Sequence, residues 1–372
     1  MKKIIKASTA ANQAAQAKEL ESSKTSDIDQ QLMRLLEGLR TSIKVIGAGG
    51  AGCNTITRLS EMGVEGAETI TMNTDAQDLL YATSDKKVLL GAELTGGLGA
   101  GADPSIGENA AKESLDGIAL AIQGADLTFV TCGLGGGTGT GSIPIIAEIA
   151  KDSGSLTVAV VTLPFTVEGR VRWENAKRGL ENLRKVADTV IVIPNDKLLM
   201  LVPDLPLNAA FKVSDELLAN AIKGVTEMIT KPGLINLDFA DLRAILSNGV
   251  TAVIGIGESM GDTFSDNRSV EALEEAINSP LLDLDISTAD RALVNVIGGP
   301  DMTLQEAEAA VEYLHGKINQ ESNIIWGCQI EEAAKKNSVK VMLVLSGIKP
   351  SDLFAGSPLS DKDLADLDVA YI

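Results

Sequence analysis

Residues 131–142 read Thr-Cys-Gly-Leu-Gly-Gly-Gly-Thr-Gly-Thr-Gly-Ser, between the apolar run Leu127 to Val130 and a helix-like stretch, Ile143 to Ala150. The order is strand, glycine loop, helix. Gly133, Gly135, Gly136, Gly137, Gly139 and Gly141 remove every Cβ that would keep a bulky anion from the backbone, and they tolerate positive φ without steric cost. Successive N–H groups can then converge on a phosphate. A helix beginning near Ser142 adds unpaired N–H groups and the positive end of its dipole, with Thr138, Thr140 and Ser142 as hydroxyl donors. The loop holds no lysine, which excludes the GxxxxGK[ST] phosphate loop and leaves charge neutralisation to backbone dipoles and a metal ion. A flexible linker is the plain alternative, but linkers do not sit between a buried strand and a capped helix without a polar spacer.

The surrounding pattern repeats that unit. Strands are predicted at 43–46, 67–72, 87–91, 126–132, 155–163 and 188–194, alternating with helices to about 62 and at 75–81, 105–123, 142–151 and 169–187. Such alternation gives a mostly parallel, Rossmann-like sheet with helices on both faces and its ligand outside the carboxyl ends of the strands. Gly47-Ala48-Gly49-Gly50-Ala51-Gly52 after the first strand matches the GxGxxG dinucleotide fingerprint, with Asn73 or Asp75 near the place of a ribose-binding acid. An NAD-dependent oxidoreductase is therefore the rival reading. It leaves the glycine loops at 97–101 and 133–141 without a role, whereas a phosphate chain on the common rim uses all three.

Leu207 to Thr230 is the longest helical pattern, apolar around much of its circumference, and is expected to lie buried between two layers. After it, strands at 250–257, 291–298, 323–330 and 338–347 and helices at 269–277 and 303–318 indicate a second, smaller α+β domain. The predicted organisation is a mobile tail at 1–26, an N-terminal helix at 27–40, the loop-bearing α/β domain at 41–206, the central helix at 207–231, the α+β domain at 232–348 and a tail at 349–372.

Charge and composition remove whole classes of function. Against 32 basic residues the chain has 51 acidic ones, a net charge of −19, which disfavours nucleic acid because binding it requires basic patches that release counterions. No run approaches the ~18 apolar residues of a membrane span, so a cytoplasmic location is expected. With one histidine, a His-rich metal site is impossible, and three cysteines give no disulfide framework. A Cys132 nucleophile paired with His315 is possible in form, but a small residue ending a buried strand is the better role for Cys132.

Gly-Gly-Gly-Thr-Gly-Thr-Gly at 135–141 resembles the phosphate-loop signature of the tubulin/FtsZ family, and similar segments run from about Ile43 to Ile348, among them 73–77, 97–101 and 236–241. The chain resembles the prokaryotic FtsZ branch, in its archaeal form, more than eukaryotic tubulin. The resemblance implies a tubulin/FtsZ fold and a cytoskeletal GTPase that forms head-to-tail filaments at the mid-cell division site, with GTP or GDP and Mg2+ as cofactors. Gly49, Gly50, Ala51 and Asn54 would then join Gly135, Gly136, Gly137, Thr138, Gly139, Thr140 and Gly141 around the α- and β-phosphates, and Ala100 and Gly101 would meet the γ-phosphate. Glu168 and Arg172 would lie near the ribose, Asn73 and Asn195 beside ribose or base, and Phe211 and Asp215 at the guanine. Read without the family, Asp215 is equally a solvated helix residue.

Asn236, Asp238 and Asp241 are implied to complete hydrolysis in the next subunit. Their plain reading is a charge bias stabilising a helix start by about 0.3–1 kcal/mol. Gly96 and Cys53 depart from residues frequent in the family, and the tail at 349–372 lacks the long linker and adaptor peptide of many bacterial relatives, leaving division adaptors unassigned. An assembling relative with little turnover is the non-enzyme alternative.

Overall fold

The structure, a computed structural model, describes residues 41–201, 206–231, 233–235, 237–247, 250–260, 267–282, 286–331, 334, 337–347 and 358–359. The expected N-terminal tail and helix and nearly all of the tail at 349–372 lie outside the described residues, as does Asn236.

Each run expected to be a strand forms one, with ends shifted by no more than three residues. They are β1 (Ile43–Ala48), β2 (Ala67–Asn73), β3 (Lys86–Leu89), β4 (Leu127–Gly133), β5 (Leu156–Leu163), β6 (Thr189–Pro194), β7 (Val250–Met260), β8 (Arg291–Gly298), β9 (Asn323–Ile330) and β10 (Ser338–Ser346). They form one sheet in the order β3-β2-β1-β4-β5-β6-β7-β10-β8-β9. The first seven are parallel; β10 runs antiparallel to β7 and β8, and β9 parallel to β8. The second α+β part therefore does not build a separate sheet. The eleven-residue β7 pairs with β6 through Val250 to Ala252 and along most of its length with β10.

The helices are α1 (Gly49–Met62), α2 (Ala76–Tyr81), α3 (Ala92–Thr95), α4 (Pro104–Glu113), α5 (Leu115–Ile122), α6 (Thr138–Asp152), α7 (Arg170–Val186), α8 (Asn195–Leu201), α9 (Leu207–Thr230), α10 (Phe239–Leu246), α11 (Arg268–Ile277) and α12 (Leu304–His315). Alternate strand residues feed two cores. Val45, Phe129, Val158 and Ile191 pack with α1, α9 and α10, while Ile46, Val130, Ala159 and Val190 pack with α4 to α7. Both faces are covered, so the strands read as continuous apolar runs. Each fully buried Ile, Leu or Val contributes about 1.5–3 kcal/mol of transfer free energy.

Two helix expectations are corrected. The stretch 105–123 is two helices, because the chain turns at Ser114 (φ −105°, ψ 20°), whose hydroxyl accepts from Gly91 N–H at 2.9 Å. The helix expected from Ser142 starts at Thr138, so the glycine loop is its first turn. Close packing on α4 is what selects glycine there. A Cβ on Gly141 would stand 2.0 Å from Pro104 O, and one on Gly107 2.4 Å from Gly137 O. The central helix α9 buries Leu218, Ile222 and Val225 against the sheet but leaves Phe211 39% exposed near its start.

Candidate functional site

Chain order reverses between β1 and β4, which are neighbours in the sheet, and a crevice opens at such a switch point. The loops leaving these two strands meet there. Gly49, at φ +72°, lies so close that a Cβ would be 2.8 Å from Gly139 N. A cleft of about 220 Å³ follows, lined by Gly49, Gly50 and Ala51 of the first loop and Gly136, Gly137, Thr138 and Gly139 of the second. Glu168, Arg172, Asn195, Phe211 and Asp215 line the rest. The start of α6 thus faces the cleft with its unpaired N–H groups, an arrangement suited to phosphate.

Other expected residues stand elsewhere. Gly135 N–H donates to Thr140 Oγ1 at 2.8 Å, and Thr140 does not line the cleft, so it braces the loop from outside. Gly141 packs on α4. Asn54 is exposed on α1 and does not line the cleft. Asn73 is buried at the end of β2, where its Oδ1 accepts from Asp75 N–H at 3.3 Å. Asp75 caps α2 by accepting from Gln77 and Asp78 N–H, and neither it nor Asn73 lines the cleft, where the NAD reading needs its ribose-binding acid. Ala100 meets the loop that lines the cleft, its Cβ 3.0 Å from the Cβ position of Gly137; Gly101 is exposed. Cys132 is fully buried, and burial pushes its thiol pKa up, so it does not serve as a nucleophile.

At the far wall, Phe211 meets the buried Phe165 edge to face, ring centroids 5.0 Å apart. The Asp215 carboxyl lies one helical turn beyond Phe211 along α9. Burial pushes the Asp215 pKa up to about 7, a shift opposed by Thr55 Oγ1, 3.4 Å from its Oδ1. Glu168 accepts from Arg172 Nη1 at 2.5 Å and from Phe165 N–H at 2.8 Å, which fixes the guanidinium at the cleft. Sequence reading missed Ser214, which donates to Asn195 Oδ1 at 2.8 Å, and Thr74, whose hydroxyl is 2.6 Å from that of Thr138. The adjacency of Ser214 to Asp215 was the available signal for the first; nothing local marks the second.

Asp238 and Asp241 are exposed and lie away from the cleft. Asp238 caps α10, accepting from Asp241 N–H at 2.7 Å. Phe211, at the cleft, and Thr230 are nineteen residues apart on α9, roughly 29 Å at 1.5 Å per residue. Thr230 Oγ1 donates to Glu65 O, just before β2, and the end of α10 receives Thr189 Oγ1 at the start of β6. The acidic turn thus lies between two segments, the end of α9 and the end of α10, that contact the amino-terminal ends of strands, and neither of its carboxylates lines the cleft.

Comparison with known proteins decides what this architecture is. Residues 42–203 match the model for "Tubulin/FtsZ family, GTPase domain", and residues 250–349 that for "FtsZ family, C-terminal domain". The chain is 53% identical over 342 residues to the cell division protein FtsZ of Methanothermobacter thermautotrophicus, covering 92% of this chain and 88% of that one. The chain belongs to the FtsZ family. It is a tubulin-like GTPase of the cell-division class. FtsZ 1 of Thermococcus kodakarensis is 56% identical over 335 residues, covering 90% of this chain and 88% of the relative. A solved FtsZ dimer from M. jannaschii superposes with a TM-score of 0.82 at 53% identity, covering 87% of this chain and 93% of that one. CetZ1 of Haloferax volcanii, at 22% identity and a TM-score of 0.74, shares the fold. In this FtsZ chain α9 and α10 lie between the two matched regions.

Gly136 offers a direct test of the cleft. A Cβ there meets no protein atom within 4 Å, whereas one on Gly137 would press on Asp103 N at 2.8 Å. Gly136→Ala should leave the melting temperature of the ligand-free protein unchanged and weaken GDP and GTP alike by about tenfold, the effect of one misfitted methyl against a rigid ligand. Calorimetry showing unaltered affinity for both nucleotides would remove this loop from the phosphate site.

Proposed function

We propose that this GTPase takes guanine nucleotide in the cleft, with phosphates on Gly49 to Ala51 and Gly136 to Gly139, ribose near Glu168 and Arg172, and the base between Phe211 and Asp215. An ionised Asp215 can accept from both N1–H and the 2-amino group of guanine; adenine presents no such pair. Among the described residues no group of three or more His, Cys, Asp or Glu could hold a metal. The only carboxylates among the described residues lining the cleft are Glu168 and Asp215, so a Mg2+ there would depend on phosphate oxygens of the nucleotide and on water, and would supply neutralisation of phosphate charge. The chain's own residues orient the nucleotide through backbone N–H groups and Arg172.

The observation that carries the assembly reading is the separation of the cleft from Asp238 and Asp241. Exposed carboxylates that do not line their own cleft can meet a nucleotide in the cleft of a second copy stacked head to tail. Such an interface joins unlike surfaces and propagates into open filaments. Asp238 and Asp241, with Asn236, then orient the attacking water across the interface, so hydrolysis follows assembly. Mid-cell placement through unassigned adaptors belongs to the same reading. Light scattering and sedimentation with GTP, GDP or ATP plus Mg2+ test it. GTP should drive assembly above a threshold protein concentration, with phosphate release beginning at that threshold. Assembly with ATP as efficient as with GTP would defeat the guanine assignment, and release proportional to protein at every concentration would defeat the shared site.

A further inference from the structure

The phosphate loop is held from behind by a side chain to which its sequence motif gives no role. Asn175, on the buried side of α7, is 6% exposed; its Nδ2 lies 3.4 Å from Gly135 O, and its Oδ1 accepts from Arg178 Nη2 at 2.7 Å. Asn175 and Arg178 border a cavity of about 520 Å³ between α4, α6 and α7, separate from the nucleotide cleft. A peptide unit is a rigid trans plane in which C=O and N–H point in opposite directions. Gly135 C=O and Gly136 N–H share one such plane, so a donor that captures the carbonyl on the cavity side turns the Gly136 N–H the other way. Gly136 lines the cleft. At the preceding plane, Gly135 N–H is already tied to Thr140 Oγ1.

We infer that Asn175 is a positioning residue for phosphate binding: oriented by Arg178, its amide locks the Gly135–Gly136 peptide so that the Gly136 N–H faces the phosphates. Gly135 has φ +107° and Gly136 has no side chain, so nothing intrinsic to the loop prevents this plane from rotating. Without the amide donor, Gly135 O loses this side-chain partner, and water from the cavity that Asn175 borders can compete for it. Arg178 acts at one remove. With its guanidinium on Oδ1, the amide presents Nδ2 to the loop; without it, either orientation of the amide becomes accessible. Asn175 sits one turn beyond Arg172 on α7, so the element that holds the ribose side also sets the phosphate side.

This inference rests on the cleft being a nucleotide site, and the test separates the two. Asn175→Asp is isosteric and strengthens the pairing with Arg178, but it replaces the donor with a carboxylate facing Gly135 O. If Asn175 served only to anchor α7, this variant would match the parent. As a positioning residue, it should lose about five- to tenfold in affinity for GDP and GTP equally, the size of one hydrogen bond to a ligand-binding backbone group. Asn175→Ala should lose a similar factor and Arg178→Ala a smaller one, with ligand-free melting temperatures held as the control for folding. At saturating GTP and above the assembly threshold, turnover per assembled subunit should match the parent, placing the defect in KM. Parental GDP affinity in Asn175→Asp would overturn the inference while leaving the cleft intact. Failure of the parent protein itself to bind GDP would overturn the nucleotide reading beneath it.

Discussion

Asp215→Asn should abolish selection of guanine and at the same time stabilise the ligand-free protein at pH 8. The two effects share a cause. Burial raises the Asp215 pKa to about 7, from about 3.9 in an unfolded chain. Between those values the folded state binds a proton that the unfolded state has released. The stability contributed by the protonated carboxyl is thus fully present below about pH 4 and is lost as pH rises through about 7. Above that pH the empty site carries a buried charge, partly relieved by the Thr55 hydroxyl. Asparagine has no charge to bury, so the ligand-free variant should gain about 2–3 kcal/mol on the parent between pH 5 and pH 8, two pH units of linkage at about 1.4 kcal/mol each. That corresponds to a difference of roughly 4–12 °C in melting temperature.

Binding moves in the opposite sense. Guanine presents two donors, and only the ionised carboxylate accepts both, so parental affinity for GTP should rise between pH 6 and pH 8 and then level off. The asparagine variant should bind about a hundredfold more weakly at pH 8, because one of its amide groups is a donor set against a guanine donor. Calorimetry across the pH range, paired with ligand-free melting curves, measures both. Guanine affinity independent of pH in the parent, or a variant destabilised at pH 8, would remove Asp215 from the role given to it.

The sheet was legible because its chemistry is local. Strands buried on both faces appear as unbroken apolar runs, and a glycine loop after such a run marks where the backbone must come close to something. What escaped the sequence depends on contacts made at long range. The first turn of α6 starts at Thr138 because Gly137 and Gly141 pack on α4, more than thirty residues earlier in the chain. The break at Ser114 follows from a bond to Gly91, and Thr140 turned from donor into brace because Gly135 N–H lies beside it. Asn175 is invisible to motif reading for the same reason: an asparagine on an amphipathic helix announces nothing until a carbonyl forty residues away is placed against it. The cleft's glycines were legible from their spacing, but the hydrogen bonds that orient their peptides were not.

Mixing two inactive variants should restore GTP hydrolysis. The choice of variants follows from the local structure. Asp238 caps α10 through Asp241 N–H, so alanine there would remove about 1 kcal/mol of helix stability as well as a carboxylate. Asparagine caps equally well and removes only the charge. Asp238→Asn should therefore bind GTP and assemble like the parent but hydrolyse about 10²–10³-fold more slowly, the range for loss of one preorganised group at a reacting centre. Its filaments should outlast parental ones. Arg172→Ala carries the complementary defect: its guanidinium, held by Glu168 at the cleft, is lost while its acidic turn is intact. In a mixed filament, an intact cleft on an Asp238→Asn subunit that meets the acidic turn of an Arg172→Ala subunit has every required group. With equal amounts and random order, about one junction in four is of this kind, so activity should return to roughly a quarter of the parental value. Sedimentation of the Arg172 variant alone, and of the mixture with one partner labelled, establishes that co-assembly has occurred. Activity equal to the sum of the two variants in such filaments would mean that Asp238 serves the cleft of its own chain, and the head-to-tail mechanism would fail.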